Sequence, residues 1–337
     1  NTGKAHNMAI SSIIDNIRYR GFAWLMGLFF VMIVVLATIL AQYSSLEPDQ
    51  FDVQEEALKK SQKTNIRLIP NGYVYSNTLS VLAETLLDKN GGYLSNDVAP
   101  PSVFLDNMPS WEYGALVMIR DGATALRNQF ARSQSQSSED PDLAKAEPYF
   151  YYELNSWALP STEGEYRKGT KALNRYMGRL LNTRSKNRAQ FYSRADNLRQ
   201  YFEVVEKRLG GLSARLISST GRLQPTNLNE RYATMTQTSW IKIDDVFWEA
   251  RGATWALVHL LKAVEHDFGD VLADKNATET MQRVIHELEK AITPIWSPMI
   301  LNGDGFGILA NYSLTMATYI TRANAATLDL RDIMMRG

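Results

Sequence analysis

Phe22–Ala41 reads FAWLMGLFFVMIVVLATILA, an apolar run of 20 residues without a charge. As a helix rising about 1.5 Å per residue it spans roughly 30 Å, the hydrocarbon thickness of a bilayer. Nothing downstream repeats it, so the chain reads as a single-pass membrane protein with its span at 22–42. Lys4, Arg18 and Arg20 precede the span against Asp15 alone, whereas Glu47, Asp49, Asp52, Glu55 and Glu56 follow it before the first lysine, Lys59. Cationic residues stay cytoplasmic, which places residues 1–21 inside and residues 43–337 outside. A cleaved signal peptide is the competing reading. Its apolar core would be about 7–15 residues long and end in small residues around the cut. Thr38, Ile39 and Leu40 before Ala41 make a poor cleavage site, so a retained anchor is favoured. The chain opens on Asn1 rather than Met, so residues upstream of it are expected.

The part beyond the span carries 33 basic and 35 acidic side chains, a formal charge of −2. A near-neutral domain has no electrostatic case for nucleic acid. Cysteine is absent. Disulfides, thiolate metal sites and cysteine nucleophiles are thereby excluded, and the core must hold by packing. Upstream of the span, Ile10, Ile13, Ile14 and Ile17 recur at helical spacing. They predict an amphipathic cytoplasmic segment at 1–21, on the membrane face or against its own copies, or else a plain extension of the spanning helix. Residues 43–72 are polar and poorly periodic and read as a stalk or loosely packed segment.

From 73 to 337 helical signals dominate, and the expected architecture is mainly α, an exterior helical bundle behind one transmembrane helix. Helices are expected from Ser76 or Asn77 to Lys89, from Trp111 to Arg132 and from Pro160-Ser161 to Thr183. Another is expected from Asn187 to Leu209, closed by Gly210-Gly211. Ile243–Leu272 reads as one long helix, Asn276-Ala277-Thr278-Glu279 as a capping box for a helix to Thr293, and Asn311–Met335 as the last helix. Gln224–Thr238 reads as a loop. Residues 133–147 (SQSQSSEDPDLAKAE) form the most linker-like stretch. Its acids Glu139, Asp140 and Asp142 lack calcium-loop spacing and read as a solvated loop rather than a cation site.

No catalytic constellation emerges. His286-Glu287-Leu288-Glu289 lacks the second histidine of a zinc-protease helix, and Gly303–Gly307 is not a phosphate loop. His259 and His266, seven apart on one helix face, would need further ligands to hold zinc. Asp244 and Asp245 are acids at a helix start, which its dipole explains. Trp248, Gly252, Trp255 and His259 form a stripe on the same helix. It reads either as a packing face, with Gly252 admitting a close neighbour, or as a groove for a glycan or peptide with Glu249 beside it. Glu249 and Arg251 read as partners in an ion pair. No metal and no cofactor is expected.

The phrases GGYLSNDVAPPSVFLDNMPSWEYGALVMIRD (91–121), RSQSQSSEDPDL (132–143), SWALPSTEGEYRKG (156–169) and AQFYSRADNL (189–198) join the N-terminal anchor. Together they resemble an uncharacterised family of proteobacterial inner-membrane proteins, a domain of unknown function. The resemblance implies a single-pass inner-membrane protein facing the periplasm, and it implies no reaction. It also marks 132–143 as an ordered loop or contact surface. The functional expectation is a non-enzymatic envelope scaffold that self-associates in the lipid bilayer or holds other envelope proteins. The alternative is an envelope hydrolase or a glycan- or peptide-binding protein. Ala23 and Gly27, four apart in the span, are candidate oligomer contacts beside the isoleucine stripe.

Overall fold

The computed structural model describes residues 2–62, 69–100, 102–132, 139–182, 186–220, 238–239, 242–295, 300, 302–303 and 310–336, with the backbone alone for 2–20. Among them the fold is all-α. Its helices are α1 (Thr2–Ser44), α2 (Val53–Gln62), α3 (Tyr73–Asp88), α4 (Asn107–Ala125), α5 (Leu143–Phe150) and α6 (Thr162–Leu181). They continue with α7 (Ala195–Ser219), α8 (Ile243–Asp267), α9 (Gly269–Asp274), α10 (Thr278–Ala291) and α11 (Tyr312–Met335). A π turn at Leu126–Phe130 extends α4, and a single antiparallel bridge joins Asn302 to Asn311.

The span is the upper part of one continuous helix, for α1 runs unbroken from Thr2. Gly21–Ser44 is long and apolar enough to cross a membrane, and its apolar stretch is exposed, with burial only at its end, at Ser44. The side chains of Ile10, Ile13, Ile14 and Ile17 lie outside the described residues.

Helices α4 and α8 form the central pair and run parallel, Ser110 opposite Asp245 and Gly114 opposite Glu249 and Ala253. Their closeness is set by two glycines. A Cβ at Gly252 would fall against the Trp111 carbonyl, 2.7 Å from its carbon, and one at Gly114 would sit 2.8 Å from Ala253 N. Backbone therefore meets backbone on both sides of the seam. Helices α3, α5, α7 and α10 run antiparallel to this pair, and α6 and α11 pack antiparallel to α3 and α7 in turn. Ion pairs mark the registers: Arg331–Glu206 between α11 and α7, Lys262–Glu289 between α8 and α10, and Arg167–Asp88 between α6 and α3.

Several local expectations are corrected by packing. Helix α7 begins at Ala195 rather than Asn187 and passes through Gly210-Gly211, because Leu209, Leu212 and Leu216 all bury. That burial exceeds the cost of about 1 kcal/mol per helical glycine. The expected Ile243–Leu272 helix turns at Phe268, and the chain re-enters as α9. The capping box is not formed: Asn276 sits at φ 52°, and Ala277 occupies the cap position without a side-chain bond. True side-chain caps occur at Ser161, accepting from Gly164 N–H at 3.2 Å, and at Asn311, accepting from Leu314 N–H at 2.8 Å.

Part of the linker-like stretch is helical, since α5 starts at Leu143. Its acids pair with arginines. Asp142 accepts from Arg175 at 2.8 Å, Asp140 from Arg179 at 2.5 Å and Glu139 from Arg127 at 2.6 Å. The two arginines beside Asp142 offset its burial and hold its carboxyl below the usual range. Residues 133–138, residues 224–237 of the predicted loop at 224–238 and residues 304–307 of the glycine loop lie outside the described residues.

Candidate functional site at the anchor junction

The chain leaves α1 at Ser44 and reaches α2 at Val53, and this stretch lies on the bundle. Within 43–72, which reads from sequence as a stalk or a loosely packed segment, Phe51 packs against the core and Val53, Ala57 and Ser61 of α2 are buried. The Phe51 ring stacks on His259, centroids 4.1 Å apart, and meets Trp255 edge-on. Phe51 N–H donates to His259 Nε2 at 3.1 Å, and His259 Nδ1 lies 2.7 Å from the Trp255 carbonyl. With Nε2 accepting, the proton sits on Nδ1 and donates to that carbonyl. Burial then pulls the imidazole down to about 4, only partly opposed by the bond to Trp255 and by Glu289, while Lys262 adds to the fall.

The tryptophan–histidine stripe is thus largely a seat for the chain's own segment leaving α1. Trp255, Gly252 and His259 are buried, and Trp111 leans on Trp255 with centroids 5.1 Å apart. Both nitrogens of His259 are engaged, so it cannot share a zinc ion with His266, which instead pairs with the buried Asp267 at 3.1 Å. That pairing raises the His266 imidazole. Asp244 and Asp245 occupy the first turn of α8 as its dipole favours, and burial raises the Asp245 carboxyl.

Glu249 and Arg251 are not partners. Two residues apart on a helix, they point to different sides. Glu249 takes a two-toothed bond from Arg215 of α7, both contacts at 2.6 Å. Arg251 is buried and pairs with Glu47 of the exit segment, and it donates at 3.0 Å to each of the Ile292 and Thr293 carbonyls after α10. One guanidinium thereby joins α8, the end of α10 and the chain leaving α1. Between them lies a groove of about 520 Å³, bordered by Leu46, Pro48, Asn107, the half-buried Trp248 and Pro294. The side chains of Trp248 (Nε1) and Asn107 (Oδ1) have no hydrogen-bond partner among the described residues.

On its other flank the junction rests on the α3–α4 connection. Gly91 stands at φ 81°, and a Cβ there would lie 2.5 Å from Ser44 Oγ and 2.7 Å from its Cβ, so the last residue of α1 sits on this glycine. The turn is fixed by a buried pair that the sequence reading missed, Lys89 Nζ to Glu112 at 2.7 Å. Glu112 also accepts the Leu94 and Ser95 N–H groups, each at 2.8 Å. Residue spacing alone carries no signal for this pair, because the two ends meet only when α3 and α4 are packed. Ala23 and Gly27 are exposed on α1, and a Cβ at Gly27 would meet nothing within 4 Å.

The chain matches the model of a family described as an uncharacterized protein conserved in bacteria (DUF2333) over residues 17–337. It belongs to that family, as the quoted phrases imply. No curated protein and no solved structure matches it.

Proposed function

We propose that this family member is a non-enzymatic assembly protein of the bacterial envelope, anchored in the inner membrane by Gly21–Ser44 with its helical domain in the periplasm. The observation that carries the reading is the clamped junction. Glu47, Phe51 and Ser44 are held by Arg251, His259 and Gly91, so the domain is presented at a fixed angle to its anchor rather than on a tether. A fixed presentation serves assembly, where orientation lowers the entropic cost of association. The acids and histidines with most promise for chemistry support the same reading, since Glu249, Asp140, Asp142 and His259 are each taken up in structural bonds. The charge bias around the span supports the topology. Self-association uses the small-residue face of Ala23 and Gly27, with the Ile10–Ile17 stripe as its cytoplasmic continuation.

The test is gentle extraction followed by mass measurement and identification of bound proteins. An oligomer or a defined set of partners is expected, with the oligomer weakened by Ala23→Leu/Gly27→Leu. A strict monomer without partners overturns the proposal. Protease added to spheroplasts should digest the domain and spare an N-terminal tag.

A second reading, binding of a glycan or peptide, draws on the groove beside Trp248 and its unpartnered indole. Titration with peptidoglycan fragments, read by tryptophan emission and repeated with Trp248→Phe, decides it. An unchanged spectrum removes this reading.

A further inference from the structure

Two connections meet at the end of the bundle where the anchor enters. One runs between α3 and α4 and begins at Gly91, against Ser44. The other runs between α5 and α6 and is bound to the first: Tyr93 hydroxyl donates to the Leu154 carbonyl at 3.0 Å, and Asn96 Nδ2 donates to the Ser156 carbonyl at 3.0 Å. Their tips are apolar and bare. Phe104 is 78% exposed, Trp157 66% and Leu159 100%, with Val98 and Val103 beside them in sequence and also exposed. Neither 98–105 nor 154–162 contains a charged residue. Beyond the anchor and its exit, the other large exposed apolar side chains among the described residues are only Leu58, Tyr113, Tyr151 and Met335. Scattered single residues of that kind need no explanation, whereas five on two joined loops do.

We propose that these two loop tips insert into the interfacial layer of the same bilayer that holds α1, so that the domain stands on the membrane on an apolar footing beside its anchor. The inference rests on the reading of Gly21–Ser44 as a membrane span. The occupant is lipid because α1 leaves from this end, touching the bundle at Ser44 while its apolar stretch stays exposed, so it projects away and brings this end to the membrane surface. Tryptophan prefers the headgroup level, where its ring is sheltered and its N–H is hydrated, and uncharged loops cross into that layer without stripping water from a charge. Clamping at Arg251 and His259 holds the bundle at one angle, which keeps the footing against the surface.

The native chain has no cysteine, so Phe104→Cys and Leu159→Cys each give a unique labelling site. Both side chains are exposed, so neither change disturbs the core. Full-length protein carrying an environment-sensitive fluorophore is reconstituted in phosphatidylethanolamine–phosphatidylglycerol vesicles, with and without lipids bearing a quencher on the upper acyl chain. Leu28→Cys reports the span, and Asp274→Cys, exposed at the opposite end of the bundle, reports the aqueous side. Expected are blue-shifted emission and loss of most of the signal at 28, 104 and 159, with none at 274. Quenching at 28 but not at 104 or 159 overturns the footing and leaves the anchor standing. A blue shift at 104 or 159 that lipid-borne quencher does not touch assigns the patch to another protein or a second copy, and equally overturns the proposal. Absence of quenching at 28 overturns the anchor reading itself.

Discussion

Gly252→Ala tests the central seam. In an exposed helix the change would stabilise by about 1 kcal/mol, since alanine is the better helix former. At this position the added methyl meets the Trp111 backbone, 2.7 Å from the carbonyl carbon and 2.9 Å from Cα. Real Cβ contacts do not fall under about 3 Å, and no rotamer relieves a clash with main chain, so α4 and α8 must move apart. Separation also loosens Trp111 from Trp255 and shifts the Arg251–Glu47 clamp one residue earlier on α8. Overpacking costs about 1–3 kcal/mol, and backbone against backbone belongs at the upper end, which leaves a net loss of about 2 kcal/mol. For a domain of this size the melting temperature should fall by about 3–4 °C. Gly211→Ala is the matched control, helical and exposed with nothing within 4 Å of its Cβ. It should raise the melting temperature by about 1–3 °C. Thermal unfolding followed by circular dichroism in detergent reads both. If Gly252→Ala melts with or above Gly211→Ala, the glycine seam is not what sets the α4–α8 distance.

Acid should loosen the junction. Unfolded His259 takes a proton near 6.5 and the folded residue only near about 4, so its contribution is complete above pH 6.5 and declines as pH falls from 6.5 to 4. The loss is about 3 kcal/mol, and His259→Gln, which can still accept from Phe51 N–H, should flatten the stability–pH curve over that window. An unchanged slope in the variant would place the acid sensitivity elsewhere. Lys89→Met strands the Glu112 carboxylate in the core and should cost about 3–5 kcal/mol, read from the denaturant midpoint; a loss below about 1 kcal/mol would contradict the pairing. Arg251→Leu removes the tie to Glu47 and should open residues 45–52 to limited proteolysis, whereas Arg215→Leu, which frees Glu249 on a more exposed face, should not.

Much of the architecture was legible in the chain because it rests on local physics. A charge-free run of 20 residues has no soluble solution except burial, and 3.6-residue periodicity between proline and glycine breaks is enough to specify helices. Hence the long apolar N-terminal helix and the all-α class follow from sequence, and so do the α6 and α11 starts at the capping residues Ser161 and Asn311. The close approach at Gly252 was legible for the same reason, since a missing side chain on an apolar stripe has few other uses. What failed was whatever depended on the partner across the gap. Gly210-Gly211 looks like a helix end until α11 buries the leucines beside it. Arg251 looks like the partner of its neighbour Glu249 until the exit segment brings Glu47 from 204 residues away. Lys89 and Glu112 look like surface charges until α3 and α4 enclose them, and the apolar tips at 104 and 159 look like loop noise until the fold joins their two connections at the end of the bundle where α1 enters. Helix identity is paid in local hydrogen bonds and side-chain period, which the sequence writes down residue by residue. The junction is made of pairs distant in the chain, and only tertiary packing decides which of them meet.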